Sequence, residues 1–549
     1  MKRKWQGAAV ALSATMVFAG MGGTALAASP GSSPASATAA KVEAKLPAQA
    51  QKIVTALEQL EPWVKAMTER EIDVLDADQG YVYLDMYDPK NTNVSASLTF
   101  DSKTGELISF ESSVTAKTEK DSAVPSDKEI LQKAMTSLVT LLGEEKLKGL
   151  GSPVLSVLVP DSEEAEQVEA GGTRNRVFYP FLVNGLQVNE GKYGIEVNTD
   201  EAGHLVALNV YRLDLTGIKV PDPKSALTPE AVKKQYFIPD RLDLGYMQEG
   251  KDGKPGLQYT LRVSPMIDAT TGTQIDPTRG TTIDQGKRSK ATIKNITLAL
   301  PAKPLTAKSK AEAEKAVISL FGIDTKKEYI YPEEVAGDYD HTYTWFNEDQ
   351  DYASVTFENE TGILIASQFF AWSEQKPAPL KKEEALTKAV GFLEQVAPES
   401  SASLQVEILE PYKEAPLADW MLELLDGEEP EPEPGLYYAF LFSEMHKGLP
   451  ILDRYHWILV NSEDGKVAQY STTLPMKKVD FPDEKPAVNE QQAAEIIAKQ
   501  LPLKQSYLWT NFYGIPAPSL SLVYTVDNSK GWPYVDAAKG SIEWIEDEE

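Results

Sequence analysis

TFDSKTGEL occupies residues 99–107, and a near copy, TFENETGIL, occupies residues 356–364. Ahead of the first copy, Val94, Ala96, Leu98 and Phe100 alternate with polar residues. That period of two places them on one face of a strand. Leu107 to Phe110 reads as the strand that returns. Between them, Asp101-Ser-Lys-Thr-Gly105 has an aspartate that can accept bonds from its own backbone and a glycine that can take a positive φ. The stretch is therefore a hairpin tip. The same design recurs at residues 198–203, 358–362 and 461–465, so turn chemistry accounts for the repetition.

The internal match continues through the chain. PSDKEILQKA at 125–134 parallels LKKEEALTKA at 380–389, and FYPFL at 178–182 parallels YYAFL at 437–441. Tyr259 answers to Tyr524, and IDATTG at 267–272 to VDAAKG at 535–540. The separation drifts slowly in one direction, as small loop insertions would make it. The expectation is two tandem copies, residues 45–300 and 301–549, with a period too long for a solenoid.

Helices separate the hairpins. Ile130, Leu131, Ala134, Met135, Leu138 and Val139 form one stripe that Gly143 stops, and Ala385, Leu386, Ala389, Val390, Leu393 and Val396 form its counterpart. Thr228-Pro229 reads as an N-cap with proline at the first helical position, and Asn489 with Gln492 as a capping box. Asn184-Gly185 reads as a two-residue hairpin turn. The expected class is α+β, each copy an arrangement of antiparallel hairpins and sheets packed on amphipathic helices.

The chain has 549 residues, no cysteine and a formal charge of −28. Lys2, Arg3 and Lys4, an apolar run and Ala25-Leu26-Ala27 read as a signal peptide over residues 1–27, followed by a flexible linker over 28–44. The expectation is a secreted protein, extracellular or wall-associated, from a Gram-positive-type source, with no membrane span in its mature form. The charge repels phosphate polymers, so nucleic acid is not an expected partner. The same charge has a plain use in keeping an exported protein soluble.

The helix followed by strands ending in Tyr-Thr and then Asp-Ala-x-x-Gly resembles a PepSY-type module. The larger unit, with FYPFLVNGLQV and EVNTDEAGHL, is similar to the YcdB/YcdC repeated domain of exported bacterial proteins. The resemblance covers nearly all of residues 45–549. PepSY modules occur in propeptides of secreted peptidases, so the resemblance implies an inhibitory or chaperone-like role.

The search for chemistry yields little. The four histidines, His204, His341, His446 and His456, form no metal-binding helical pair, and nucleophile-elbow and phosphate-loop motifs are absent. His204 and His456 read as surface or sheet residues. Asn347, Asp349, Asp351 and Glu358 have the spacing of a calcium loop, although Tyr352 stands where such a loop needs glycine. No cofactor is expected. Candidate binding residues are Trp532 and Tyr534, expected to be partly exposed, the Asn184-Gly185 turn, and His446 in an insertion of the second copy. The reading is a non-enzymatic exported binding module that regulates a secreted peptidase or assists folding. The alternatives are an envelope component that binds wall polymer and a carboxylate-based hydrolase.

Overall fold

The computed structural model describes residues 45–74, 80–113, 125–158, 174–248, 254–262, 265–283, 293–299, 304–323, 325, 331–337, 339–347, 352–370, 380–398, 401–409, 416–425, 437–473, 479–483 and 485–545. The expected signal peptide, the linker, Asp349 and Asp351 lie outside them. The chain divides into two compact units. One holds the described residues through Ala226 together with Gln505–Val523; the other holds Leu227–Lys504 and Tyr524–Glu549. The compact units thus divide at Ala226/Leu227 and again around Gln505–Val523, and not at the 300/301 boundary expected for the copies.

The first unit is built on an eight-stranded antiparallel sheet. Its strands are β1 (Glu69–Val74), β2 (Tyr81–Asp88), β3 (Asn91–Asp101), β4 (Leu107–Ser112), β5 (Val154–Leu158), β6 (Arg174–Pro180), β9 (Gly194–Thr199) and β10 (Leu205–Tyr211), in the order β1-β2-β3-β4-β10-β9-β6-β5. Between β6 and β9 lies a small hairpin of β7 (Leu182–Val183) and β8 (Leu186–Gln187). Helices α1 (Ala48–Leu60) and α2 (Asp127–Leu142) bury Ile53, Leu57, Ala134 and Leu138 against Leu84, Leu98, Phe100 and Phe110 of the sheet. At roughly 1.5–3 kcal/mol per buried large apolar side chain, this layer is the main source of the unit's stability. The helical stripe predicted from Ile130 to Val139 is half right at its rim. Ile130, Ala134 and Leu138 are buried, whereas Met135 and Val139 are each 37% exposed, because the sheet reaches only the centre of the stripe.

The second unit carries a larger sheet. It comprises β11 (Leu242–Met247), β12 (Gly256–Leu261), β14 (Ile293–Thr297), β15 (Tyr331–Ala336), β16 (Asp340–Phe346), β17 (Tyr352–Glu358), β18 (Leu364–Phe370), β19 (Ser403–Leu409), β20 (Tyr437–His446), β21 (Leu449–Asn461) and β22 (Val467–Thr472), with two strands from the end of the chain; the short β13 (Met266–Asp268) follows β12 but stands outside this sheet. Its pairing is antiparallel apart from the single bridge Tyr246↔Ile451. Helices α4 (Lys310–Phe321) and α5 (Lys382–Val396) close its core over Val355, Phe357, Phe440, Phe442 and Ile458. The class is mixed α+β with antiparallel sheets.

The end of the chain contains β23 (Leu503–Leu508), β24 (Asn511–Phe512), β25 (Ile515–Pro516), β26 (Ser521–Val526), β27 (Trp532–Asp536) and β28 (Ser541–Ile545), preceded by α6 (Glu490–Gln500). Within the second unit, α6 faces α3 (Pro229–Tyr236), and β12 is joined along its other edge by β27, with Gln258, Tyr259 and Thr260 opposite Asp536, Val535 and Tyr534. A strand that follows Gly531 thus completes a hairpin that precedes Arg262.

Asp101-x-x-x-Gly105 forms the expected turn. The Asp101 carboxylate accepts bonds from the Thr104 amide and hydroxyl and the Lys103 amide. Gly105 N–H donates to Asp101 O, and its φ is 70°. The Thr104 amide, then the Arg212 guanidinium, holds this carboxyl well below the usual carboxylate range. Glu358 anchors the second copy of the stretch in the same way.

These turns recur because each is docked on a helix. A Cβ on Gly105, Gly203, Gly272, Gly362, Gly465 or Gly540 would lie 2.9, 2.8, 2.7, 2.9, 3.4 or 2.8 Å from the Pro47, Lys133, Gln235, Ala307, Leu380 or Val488 atom it faces. Each of those residues leads into, or lies on, α1, α2, α3, α4, α5 or α6 in turn. At Gly105, Gly362 and Gly540 the missing side chain is what lets hairpin tip and helix meet, whereas at Gly465 a Cβ would make an ordinary contact.

Candidate binding site

The aromatic hairpin of residues 511–516, NFYGIP, carries the most exposed large hydrophobic side chain among the described residues, Tyr513. Its strands pair Asn511 with Pro516 and Phe512 with Ile515, and Tyr513-Gly514 turns between them at φ of 48° and 84°. Those signs define the mirror-image turn that suits a two-residue hairpin. Asn or Gly is the usual occupant, since a bulky residue is strained at positive φ. Here the first position holds tyrosine. Its side chain is 88% exposed, with the Phe512 ring 4.5 Å away, edge to face, and Ile515 46% exposed. Asn511 Oδ1 accepts from Gly514 N–H at 2.8 Å and fixes the turn.

The base of this hairpin is rigid. Trp509 is buried and donates from Nε1 to Ala517 O at 2.9 Å. Asn189, itself at φ 44°, closes three bonds on the same strand: its amide donates to Tyr507 O, its Nδ2 to Trp509 O at 2.8 Å, and its Oδ1 accepts from Trp509 N–H at 2.7 Å. Tyr507 Oη donates to Pro221 O at 2.6 Å and accepts from Asn184 Nδ2 at 3.2 Å. The Asn184-Gly185 turn is at φ of 49° and 82°, as its sequence requires, and is exposed. One predicted binding turn is thus a neighbour and support of the aromatic hairpin. Sequence reasoning missed residues 511–516 because Tyr-Gly lacks the asparagine or aspartate that marks such turns; its one signal was a Tyr-Gly pair flanked by apolar residues.

The other predicted positions are dispersed. Trp532 is half-buried in β27. Tyr534, expected to be partly exposed, is 5% exposed and its neighbour Val535 is buried too, in a strand flanked by β12 and β28. His446 ends β20 and packs edge to face on Tyr246 at 4.9 Å and against Phe481 at 5.2 Å. Beyond it, Lys447-Gly448 turns at φ of 49° and 86°, so the insertion lengthens a hairpin that keeps the Asn184-Gly185 type of turn. Asn347 follows β16. Glu358 is buried, and its oxygens are taken by Thr361 and the Glu360 amide, which outweigh the cost of burial and lower its pKa. Among the described residues no three His, Asp or Glu side chains are grouped to hold a metal ion.

His456 is a sheet residue and not a surface one. It is 1% exposed on β21, with Nε2 2.8 Å from Ser401 Oγ, which in turn donates to Glu444 Oε1 at 3.1 Å. Nε2 therefore carries the proton, and Nδ1 faces the Tyr470 hydroxyl at 3.3 Å. Burial pushes the imidazole pKa down to about 4, so it is neutral near pH 7. Ser401 is fully buried, and the pair serves the core by satisfying Glu444, which Arg454 approaches at 3.7 Å.

These features define an α+β protein of helix-docked hairpins with a braced aromatic tip. Residues 310–473 match the family model of the YcdB, YcdC repeated domain, the family the sequence resembles. Among solved structures, the Bacillus megaterium YpeB C-terminal domain aligns at 15% identity, over 44% of this chain and 98% of that one, with a TM-score of 0.25. A mutant of AofleA from Arthrobotrys oligospora aligns at 8% identity over 72% of each chain, with a TM-score of 0.08. No curated protein matches the sequence. No helix among the described residues is long and apolar enough to cross a membrane.

Proposed function

We propose that the protein is an exported, non-catalytic binding module that engages a protein partner, a secreted peptidase, through the Phe512-Tyr513 hairpin. The observation that carries this reading is Tyr513, held at φ 48° with its ring in solvent. A bulky residue in that conformation costs about 1–2 kcal/mol, and among the described residues the Tyr513 ring packs only on the Phe512 edge. Exposed Tyr and Phe on a pre-organised support are the side chains that dominate interface energies once desolvated. The match to the YcdB, YcdC repeated domain and the regulatory role implied by PepSY resemblance support the same class.

The tandem organisation belongs to this proposal. Copies over 45–300 and 301–549 are supported by two equivalent hydrogen bonds in the second unit: Tyr259 donates to Val488 O at 3.0 Å, and Tyr524 to Leu227 O at 2.9 Å. Each copy's tyrosine closes on the segment ahead of the other copy's helix.

The test uses the mature chain, residues 28–549, as bait in culture supernatant and wall extract, followed by reconstitution with each purified candidate. A peptidase that binds stoichiometrically to the native chain and not to a Tyr513→Asn variant fits the proposal. Retention of wall polymer alone, or equal binding by the variant, contradicts it.

A further inference from the structure

The second unit has an open cleft of about 310 Å³ between the end of α4, one face of α5 and the start of β22. Phe321 and Phe392 form apolar walls, with Lys388, Gln395 and Lys466 among the polar lining residues. Phe321 is stacked on Phe369 at 5.2 Å, and the Lys466 ammonium lies 5.3 Å over the Phe369 ring. Two cations thus line a cleft of mixed polar and apolar character in a chain whose formal charge is −28. The volume is at the small end of ligand sites, room for one residue rather than a long aliphatic chain.

Two details of the cleft bear on what it could hold. Gly391 lies in the interior of α5, where glycine costs about 1 kcal/mol relative to alanine. Its φ is not positive, and a Cβ there would meet nothing within 4 Å, so neither backbone geometry nor crowding calls for it. A larger side chain at that position would enter the cleft. The second detail is Lys388. Its sequence counterpart Lys133 donates to Ala202 O at 2.5 Å beside Gly203. Lys388 lies along Gly465 in the same way, 3.7 Å from the position of a Cβ, yet its ammonium has no hydrogen bond or ion pair among the described residues. Among the described residues, the one carboxylate paired with Lys466 is Asp464, at 3.5 Å.

We propose that this cleft binds the C-terminal residue of a peptide. The carboxylate sits between Lys388 and Lys466, and an apolar last side chain lies against Phe321 and Phe392. Gln395 uses Nε2 on Gly391 O at 2.9 Å, which leaves Oε1 to accept the terminal peptide N–H. A fatty acid offers no such donor. The site is independent of the aromatic hairpin, and either can fail without the other.

Calorimetry on the mature chain tests it with three probes: N-acetyl-Ala-Ala-Phe with a free carboxylate, the same peptide amidated, and decanoate. The expected result is saturable binding of the free acid, at least about tenfold weaker binding of the amide, and a similar loss in Lys388→Met at unchanged thermal stability. Gly391→Leu should abolish binding. Equal affinity for acid and amide overturns the proposal, as does full binding by Lys388→Met. Decanoate binding without peptide binding also overturns it.

Discussion

Tyr259 Oη donates to Val488 O at 3.0 Å, joining β12 to the residue that leads into α6 across more than two hundred positions of sequence. Tyr524 does the same to Leu227 O, ahead of α3, and Ala537 N–H donates to Leu257 O between β27 and β12. Tyr259 and Tyr524 are both buried, so a lost hydroxyl leaves a carbonyl without its partner. Tyr259→Phe and Tyr524→Phe should each cost about 1 kcal/mol, read from the urea midpoint. Full stability in both variants would mean that these two hydrogen bonds contribute nothing.

Two glycines should respond in opposite directions to the same substitution. Gly362 has φ 73°, and a Cβ on it would lie 2.9 Å from Ala307 O. Gly362→Ala should cost about 2 kcal/mol. Gly391 is helical with open space beside it, so Gly391→Ala should add up to about 1 kcal/mol. Denaturant titration of the two variants separates a glycine that docking requires from one that it does not.

Stability should fall in mild acid through His456. Its folded pKa, pushed down to about 4 by burial, is below the ordinary value of 6.5. Between those values the unfolded chain binds a proton that the folded chain refuses, so stability is full above pH 6.5 and declines towards pH 4, by about 3 kcal/mol in all. Glu358 and Asp101, whose pKa values are lowered, add a further loss that begins near their ordinary values of 4.5 and 3.8, at the acid end of this window and below it. His456→Asn should flatten the dependence between pH 6.5 and 4, measured as urea midpoints across that range.

Tyr513→Asn should stabilise the free protein by about 1 kcal/mol, because asparagine accepts positive φ where tyrosine is strained. An unchanged unfolding midpoint would show that the turn stores no strain.

Local chemistry was legible in the sequence where it depends on neighbours along the chain. The Asp101 to Gly105 turn, the Thr228 cap, the Asn489-Gln492 capping box and the Asn184-Gly185 turn form as read. Long-range relations were not. Pairing of β12 with β27 and burial of Tyr534 follow from strands far apart in sequence, and alternation alone cannot say which strand is enclosed on both sides. His456 lies in a strand, as one of its two readings had it, but its burial was not legible because its partners, Ser401 and Glu444, lie on other segments. The aromatic hairpin was missed because tyrosine stands where turn chemistry calls for asparagine.

The central claim is that the Tyr513 ring is the anchor for a partner. The direct measurement is the affinity of the reconstituted peptidase partner for the native chain and for Tyr513→Asn, with unfolding midpoints taken on the same samples. The account predicts binding at least about tenfold weaker in the variant, at equal or higher stability. Equal affinity in a fully folded variant would contradict it.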